Sequence, residues 1–131
     1  MKKLVGVLIT PNQKRTQPRV HTMEYETYED FYPLLECETF DIAERKFKDE
    51  YLDIYCDDEG LFKEGNKAAI GIVDNGVMNG QIVGTAFIVN HNKKGETISL
   101  TEEQIKKVMD CRVVFQSKTT GDRHYGVLAE W

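Results

Sequence analysis

Two apolar runs, Ala68–Val73 and Gln81–Val89, dominate the hydrophobic pattern of the chain, joined by the segment DNGVMNG. Both ends of that joint carry Asn-Gly (Asn75-Gly76 and Asn79-Gly80), the dipeptide that accepts the positive φ of a tight hairpin turn. In the second run Ile82, Val83, Ala86, Phe87, Ile88 and Val89 leave only Thr85 polar after Gln81, which predicts a central strand buried on both faces. Lys3–Thr10 reads as an opening strand and Val20–Tyr25 as a short strand near an edge. Tyr51–Cys56 alternates Leu52, Ile54 and Cys56 with Tyr51, Asp53 and Tyr55, the period of a half-buried strand. Its natural hairpin partner is Cys37–Phe47, across the polar turn Lys48-Asp49-Glu50.

Helical signals are two. Thr27 reads as an N-cap with Asp30 in the first turn, followed by Tyr28, Phe31, Tyr32 and Leu35 at helical spacing. Pro33 inside that stretch predicts a short or kinked helix. The stronger signal is Leu100-Thr101-Glu102-Glu103-Gln104-Ile105, in which Thr101 and Gln104 make a capping box and Leu100 can staple to Ile105. That helix is expected to run to about Asp110, followed by a strand at Cys111–Phe115, a turn at Lys118–Arg123 and an extended Tyr125–Trp131. The elements together predict an α+β fold, an antiparallel or mixed sheet of five or six strands with two helices on one face. With 131 residues, 1–131 is read as a single globular domain.

Charge changes this picture. The net charge of −5 conceals 14 acidic against 3 basic residues between Glu24 and Glu59, a local net of −11, while the remainder carries +6. Eight of the 13 aromatic residues fall between Tyr25 and Tyr55, interleaved with those acids. Rings beside carboxylates suit a protein-facing surface, whereas a plain fold would place the rings in the core and leave the acids as a solvated face. The balance argues against general nucleic-acid binding by phosphate neutralisation. An acid excess of 22 over 17 is also mild for a protein that mimics DNA. No apolar run approaches the length of a membrane span. The three cysteines, Cys37, Cys56 and Cys111, lack metal spacing and read as free thiols of a cytoplasmic protein.

Motif chemistry is sparse. There is no P-loop, GxGxxG, GxSxG, HExxH or CxxC, and the two serines, Ser99 and Ser117, lie outside any nucleophile elbow. His21, His91 and His124 are far apart in sequence. Asp57-Asp58-Glu59-Gly60 lacks the alternating ligands and distal Glu of a calcium loop and reads as a solvated turn. The expectation is therefore no catalytic residue, no cofactor and no metal.

The motifs IYCDDEG (Ile54–Gly60), NKAA (Asn66–Ala69), VGTAFIV (Val83–Val89) and SLTEEQI (Ser99–Ile105), in this order, resemble the domain of unknown function 3846 family of phages, plasmids and conjugative elements of Gram-positive bacteria. The likeness covers about residues 25–110. It implies a small cytoplasmic α+β protein without an assigned reaction, and it draws attention to Glu59, Gly60, Asn66, Gly84 and the Leu100–Ile105 cap. Lys67 stands where the family more often has Arg, which weakens any bidentate role at that position. Each of these residues also has a structural explanation, as turn glycine, local cap or close strand packing.

The first functional expectation is a non-enzymatic accessory protein of a phage or mobile genetic element that binds a host protein, for instance against host defence, with Tyr55, Asp57, Asp58, Glu59, Asn66 and Lys67 as candidate binding residues. Exposed rings such as Tyr25, Tyr28 and Tyr55 are the expected anchors. The second is a sponge for a small nucleotide signal, with Arg112, Lys118 and Arg123 near Asn90 and Asn92 supplying phosphate contacts. The third is a small hydrolase using a pair of carboxylates.

Overall fold

The computed structural model describes residues 1–131. Ten strands and two α-helices follow in order: β1 (Lys2–Ile9), β2 (Arg19–Tyr25), α1 (Phe31–Leu35), β3 (Phe40–Phe47), β4 (Glu50–Asp57), β5 (Ala68–Asp74), β6 (Val77–Val83), β7 (Ala86–His91), β8 (Thr97–Ile98), α2 (Glu102–Met109), β9 (Arg112–Gln116) and β10 (Arg123–Glu130). The class is α+β, as expected, with more strands than the five or six read from the sequence. Strand order across the sheet is β2-β1-β7-β4-β3-β10-β5-β6, with β8 on β7 and β9 on β10. All pairings are antiparallel except β5 with β10, so the sheet is mixed.

The run Gln81–Val89 is not one strand. Gly84, at φ 95°, breaks it. The residues before the break pair with β5, and those after it cross to lie between β1 and β4. Ala86, Phe87, Ile88 and Val89 there are all buried, so the expected two-faced central strand exists as β7 alone. Of the two Asn-Gly pairs, only Asn75-Gly76 turns the chain, with both residues at positive φ between Asp74 and Val77. Asn79-Gly80 lies inside β6.

Strand β4 is more buried than its alternation suggests: Leu52 to Asp57 are all covered. The reason is a core on each face of the sheet. Leu52, Ile54 and Cys56 join Val7, Ile9, Ile88, Leu100 and Val108 in one cluster. Tyr55 joins Leu4, Phe31, Leu35, Phe87 and Val89 in the other. Alternate residues of a strand point to opposite faces. Helix α1, which supplies Phe31 and Leu35, therefore covers one face and α2, which supplies Val108, the other. This corrects the expectation of two helices on one face.

Helix α1 has only five residues and follows a 3₁₀ turn at Tyr28–Asp30. Pro33 sits in its first turn, where a backbone N–H has no helical partner anyway, so the helix tolerates it. Helix α2 begins as its sequence predicts. Thr101 Oγ1 accepts from the Gln104 N–H at 3.1 Å, and the Thr101 N–H donates to Gln104 Oε1 at 2.9 Å. Lys107 fastens it to the β3–β4 turn, with Asp49 at 2.9 Å and Glu50 at 3.1 Å, and also pairs with Glu103 of its own helix at 3.4 Å. Those carboxylates hold the Lys107 ammonium well above its ordinary range, the Asp49 hydrogen bond most of all.

Candidate functional site

Three of the residues that carry the family likeness meet in one knot at the end of the β5–β6 hairpin. Asn66 Nδ2 donates to the Gly60 carbonyl at 3.0 Å, and Asn66 Oδ1 accepts from Asn12 Nδ2. Asn12 Oδ1 in turn accepts from the Lys67 N–H at 2.8 Å, and the Gly84 N–H donates to the Lys67 carbonyl at 2.9 Å. A Cβ on Gly60 would stand 2.1 Å from the Val83 carbonyl oxygen, so only glycine permits this approach. The knot closes the loop between β4 and β5 against the β6–β7 crossing. Asn66 and Gly60 are thus accounted for by local structure, with their polar groups turned to one another.

Beside the knot lies a hollow of about 430 Å³ bounded by Glu36, Cys37, Glu38, Asp57, Glu59 and Lys63. It forms because Glu36, at φ 55°, ends α1 in a left-handed turn and sends the chain past the end of β4. Asp57 is buried and paired with Lys63, and it accepts from the Glu59 N–H at 3.0 Å. The Asp57 hydrogen bond raises the Lys63 ammonium above its usual range. Glu36 accepts from Thr85 Oγ1 at 2.8 Å and from Gln13 Nε2 at 3.1 Å. Thr39 Oγ1 donates to Asp58. Four carboxylates against one ammonium leave the hollow negative. Burial, reinforced by Asp57, pushes the Cys37 thiol up to about 11, so it stays protonated near neutral pH and is a poor nucleophile.

The candidate binding residues therefore part company. Asp58, Glu59 and Lys67 are exposed. Asp57 is not available to a partner, being consumed by Lys63. Tyr55 is a correction: it is 6% exposed, its hydroxyl lies 2.6 Å from Thr97 Oγ1, and its ring stacks on Phe31 at 4.6 Å and on Phe40 at 5.5 Å. Three of the eight interleaved rings, Phe31, Phe47 and Tyr55, are thus core, and Tyr32 and Phe40 are half-buried. Tyr28 and Tyr51 remain open to solvent, and Tyr25 is half-buried.

The basic residues do not gather as expected. Arg112 and Arg123 start consecutive antiparallel strands, Arg123 opposite Gln116 and Arg112 opposite Val127. They stand roughly 13 Å apart along the hairpin, at ~3.3 Å per residue. Asn90 and Asn92 lie at the far end of β7, separated from β10 by β4 and β3. Lys118 does border a cleft, the largest described, of about 680 Å³, together with Asn66, Lys67, Phe115 and His124. His124 Nε2 is 2.7 Å from the Ala68 carbonyl.

The sequence reading missed Glu36, Glu38 and Lys63, whose meeting depends on the turn after α1. It also missed a set able to hold a metal: one ligand atom each of Glu44, Asp53 and His91, all within 4.8 Å of one another. Half of that set had a signal. Once Lys48-Asp49 forms the turn, Glu44 must face Asp53 across the hairpin. Nothing local in the sequence brings His91 to them.

The fold and its acidic end define a small mixed-sheet α+β protein with a polar knot beside its acidic hollow. The chain belongs to the family described as Domain of unknown function (DUF3846), whose model matches residues 1–111. The match reaches further toward the N-terminus than the likeness read from the motifs and ends, like it, at the close of α2. No curated protein and no solved structure matches the chain. No helix is long and apolar enough to cross a membrane.

Proposed function

We propose that this protein is a non-enzymatic accessory protein that binds a basic surface of another protein through its acidic end. One observation carries the reading. Of the 14 acidic residues between Glu24 and Glu59, nine are exposed and have no ion-pair partner: Glu26, Glu29, Asp30, Glu36, Glu38, Asp41, Glu44, Asp58 and Glu59. The three bases of that segment do little to relieve them. Arg45 lies over the Trp131 ring at 4.3 Å, and Lys46 pairs with Glu130. A field of uncompensated carboxylates opposes the isolated fold and is relieved by a basic partner, which it also steers. Tyr28 replaces Tyr55 as the accessible aromatic anchor, whereas the exposed Tyr51 stands at the opposite end of β4 from Asp57, roughly 20 Å away at ~3.3 Å per residue. The resemblance to proteins of phages and conjugative elements makes a protein of the bacterial host the partner we infer.

The test is quantitative capture from a bacterial lysate with the parent chain, with a Glu38→Gln, Asp58→Asn, Glu59→Gln variant, and with Glu102→Gln, Glu103→Gln as control. The control acids lie in the first turn of α2, on the other face of the sheet. A protein retained by parent and control but lost from the triple variant supports the reading. Equal recovery by all three contradicts it.

A second reading rests on the 680 Å³ cleft, whose lining includes Lys67, Lys118 and Asp122 together with Phe115 and His124, whose rings lie 5.3 Å apart. Two ammonium groups beside an aromatic face suit the phosphates and base of a nucleotide. Calorimetry with cyclic and linear nucleotides would give a signal lost on Lys67→Glu or Lys118→Glu. No heat with any nucleotide removes this reading.

A further inference from the structure

We propose that Glu44, Asp53 and His91 form a three-ligand site for a divalent first-row transition-metal ion, on the face of the sheet that carries α1. Three adjacent strands build it. Glu44 of β3 is the direct cross-strand partner of Asp53 of β4, and Asp53 is the partner of Val89 on β7, two residues before His91. Residues two apart on a strand share a face, so all three side chains project on the same side. Tyr55, also two residues from Asp53, walls the site through its hydrogen bond to Thr97, and Thr97 is the register partner of His91.

The charges call for a cation. Carboxylates placed directly opposite one another on a sheet repel. The Asp53 side chain is only 10% exposed. Its Oδ2 lies 2.8 Å from His91 Nδ1, and no protein donor reaches Oδ1. The Glu44 carboxylate has neither an ion pair nor a hydrogen bond. A neutral imidazole leaves the set at −2, which one divalent ion neutralises.

Two bonds of ~2.0–2.1 Å at the tetrahedral angle subtend an edge of ~3.3 Å, so His91 Nδ1 and Asp53 Oδ2, hydrogen-bonded at 2.8 Å, need to part only slightly to admit a metal ion. Within the 4.8 Å span, Glu44 is the member that must close in, and its exposed side chain is free to change rotamer. One imidazole with two carboxylates suits Zn²⁺ or Mn²⁺ better than Ca²⁺, which takes six or more oxygen ligands. Three protein ligands also leave a coordination position open to water or to a partner's side chain.

Calorimetric titration of the metal-free full chain with zinc chloride tests the site. One Zn²⁺ per chain is expected, with affinity reduced at least tenfold in Glu44→Gln and in His91→Asn. Both positions are exposed, so these variants keep the fold while Asp53→Asn checks the buried ligand. The Co²⁺ form should absorb without a thiolate charge-transfer band, since Cys37, Cys56 and Cys111 take no part. No heat of binding, unchanged affinity in both exposed variants, or a thiolate band would each overturn the proposal.

Discussion

Replacing Asn66 by alanine separates a structural knot from a ligand-binding surface. The parent side chain donates to the Gly60 carbonyl at 3.0 Å and accepts from Asn12, which itself holds the Lys67 N–H at 2.8 Å. Each such bond contributes about 0.5–1.5 kcal/mol net. Losing two and loosening the third should therefore cost about 1–3 kcal/mol. In a domain of this size 1 kcal/mol lowers the melting temperature by ~3–5 °C, so a fall of roughly 3–15 °C is expected. Asn66→Asp should do no better, since it keeps the acceptor for Asn12 but sets a carboxylate oxygen against the Gly60 carbonyl. Gly60→Ala should be comparably damaging, because its Cβ would meet the Val83 carbonyl at 2.1 Å. Thermal melts followed by circular dichroism report all three. If Asn66→Ala melts within a degree of the parent, the knot does not hold the loop, and Asn66 is free for a ligand.

Thr101→Ala removes the acceptor for the Gln104 N–H and should cost about 1 kcal/mol in denaturant melts, with Thr101→Ser nearly neutral. Equal losses would refute the cap. Phe87→Ala, at the wholly buried centre of β7, should cost about 3–5 kcal/mol, against little for the exposed Gln81→Ala. Cys37 and Cys56 have thiols pushed up to about 11 by burial, so alkylation by iodoacetamide should be slow at neutral pH and accelerate toward pH 11. Rapid modification at pH 7 would contradict that environment.

What the sequence made legible was local. The capping box at Thr101, the Asn75-Gly76 turn, the β3–β4 hairpin and the buried run of β7 all rest on residues within a few positions of one another. What it hid was long-range. Nothing near Gly84 states that the chain leaves β6 there and crosses to β1 and β4, because an apolar run reads alike whether it is one strand or two. The same ambiguity concealed the second core. Tyr55 and Asp53 alternate with apolar neighbours and so look solvent-facing, until α1 and β8 are seen to cover that side. The pairing of Arg112 with Arg123 failed for a related reason: ends of adjacent strands are close in sequence order but lie a hairpin's length apart. The acidic hollow was half visible, as a charge excess without a shape.

If carboxylates at the acidic end steer a basic partner, its association rate must carry the signature of screened charge. Stopped-flow or surface binding at low salt and at salt well above ~0.15 M, where the screening length is about 8 Å, should show association slowing while dissociation changes little. Glu38→Gln, Asp58→Asn, Glu59→Gln should slow association at low salt and flatten its salt dependence. An association rate indifferent both to salt and to these substitutions would contradict the claim and leave the acidic end a solvated face.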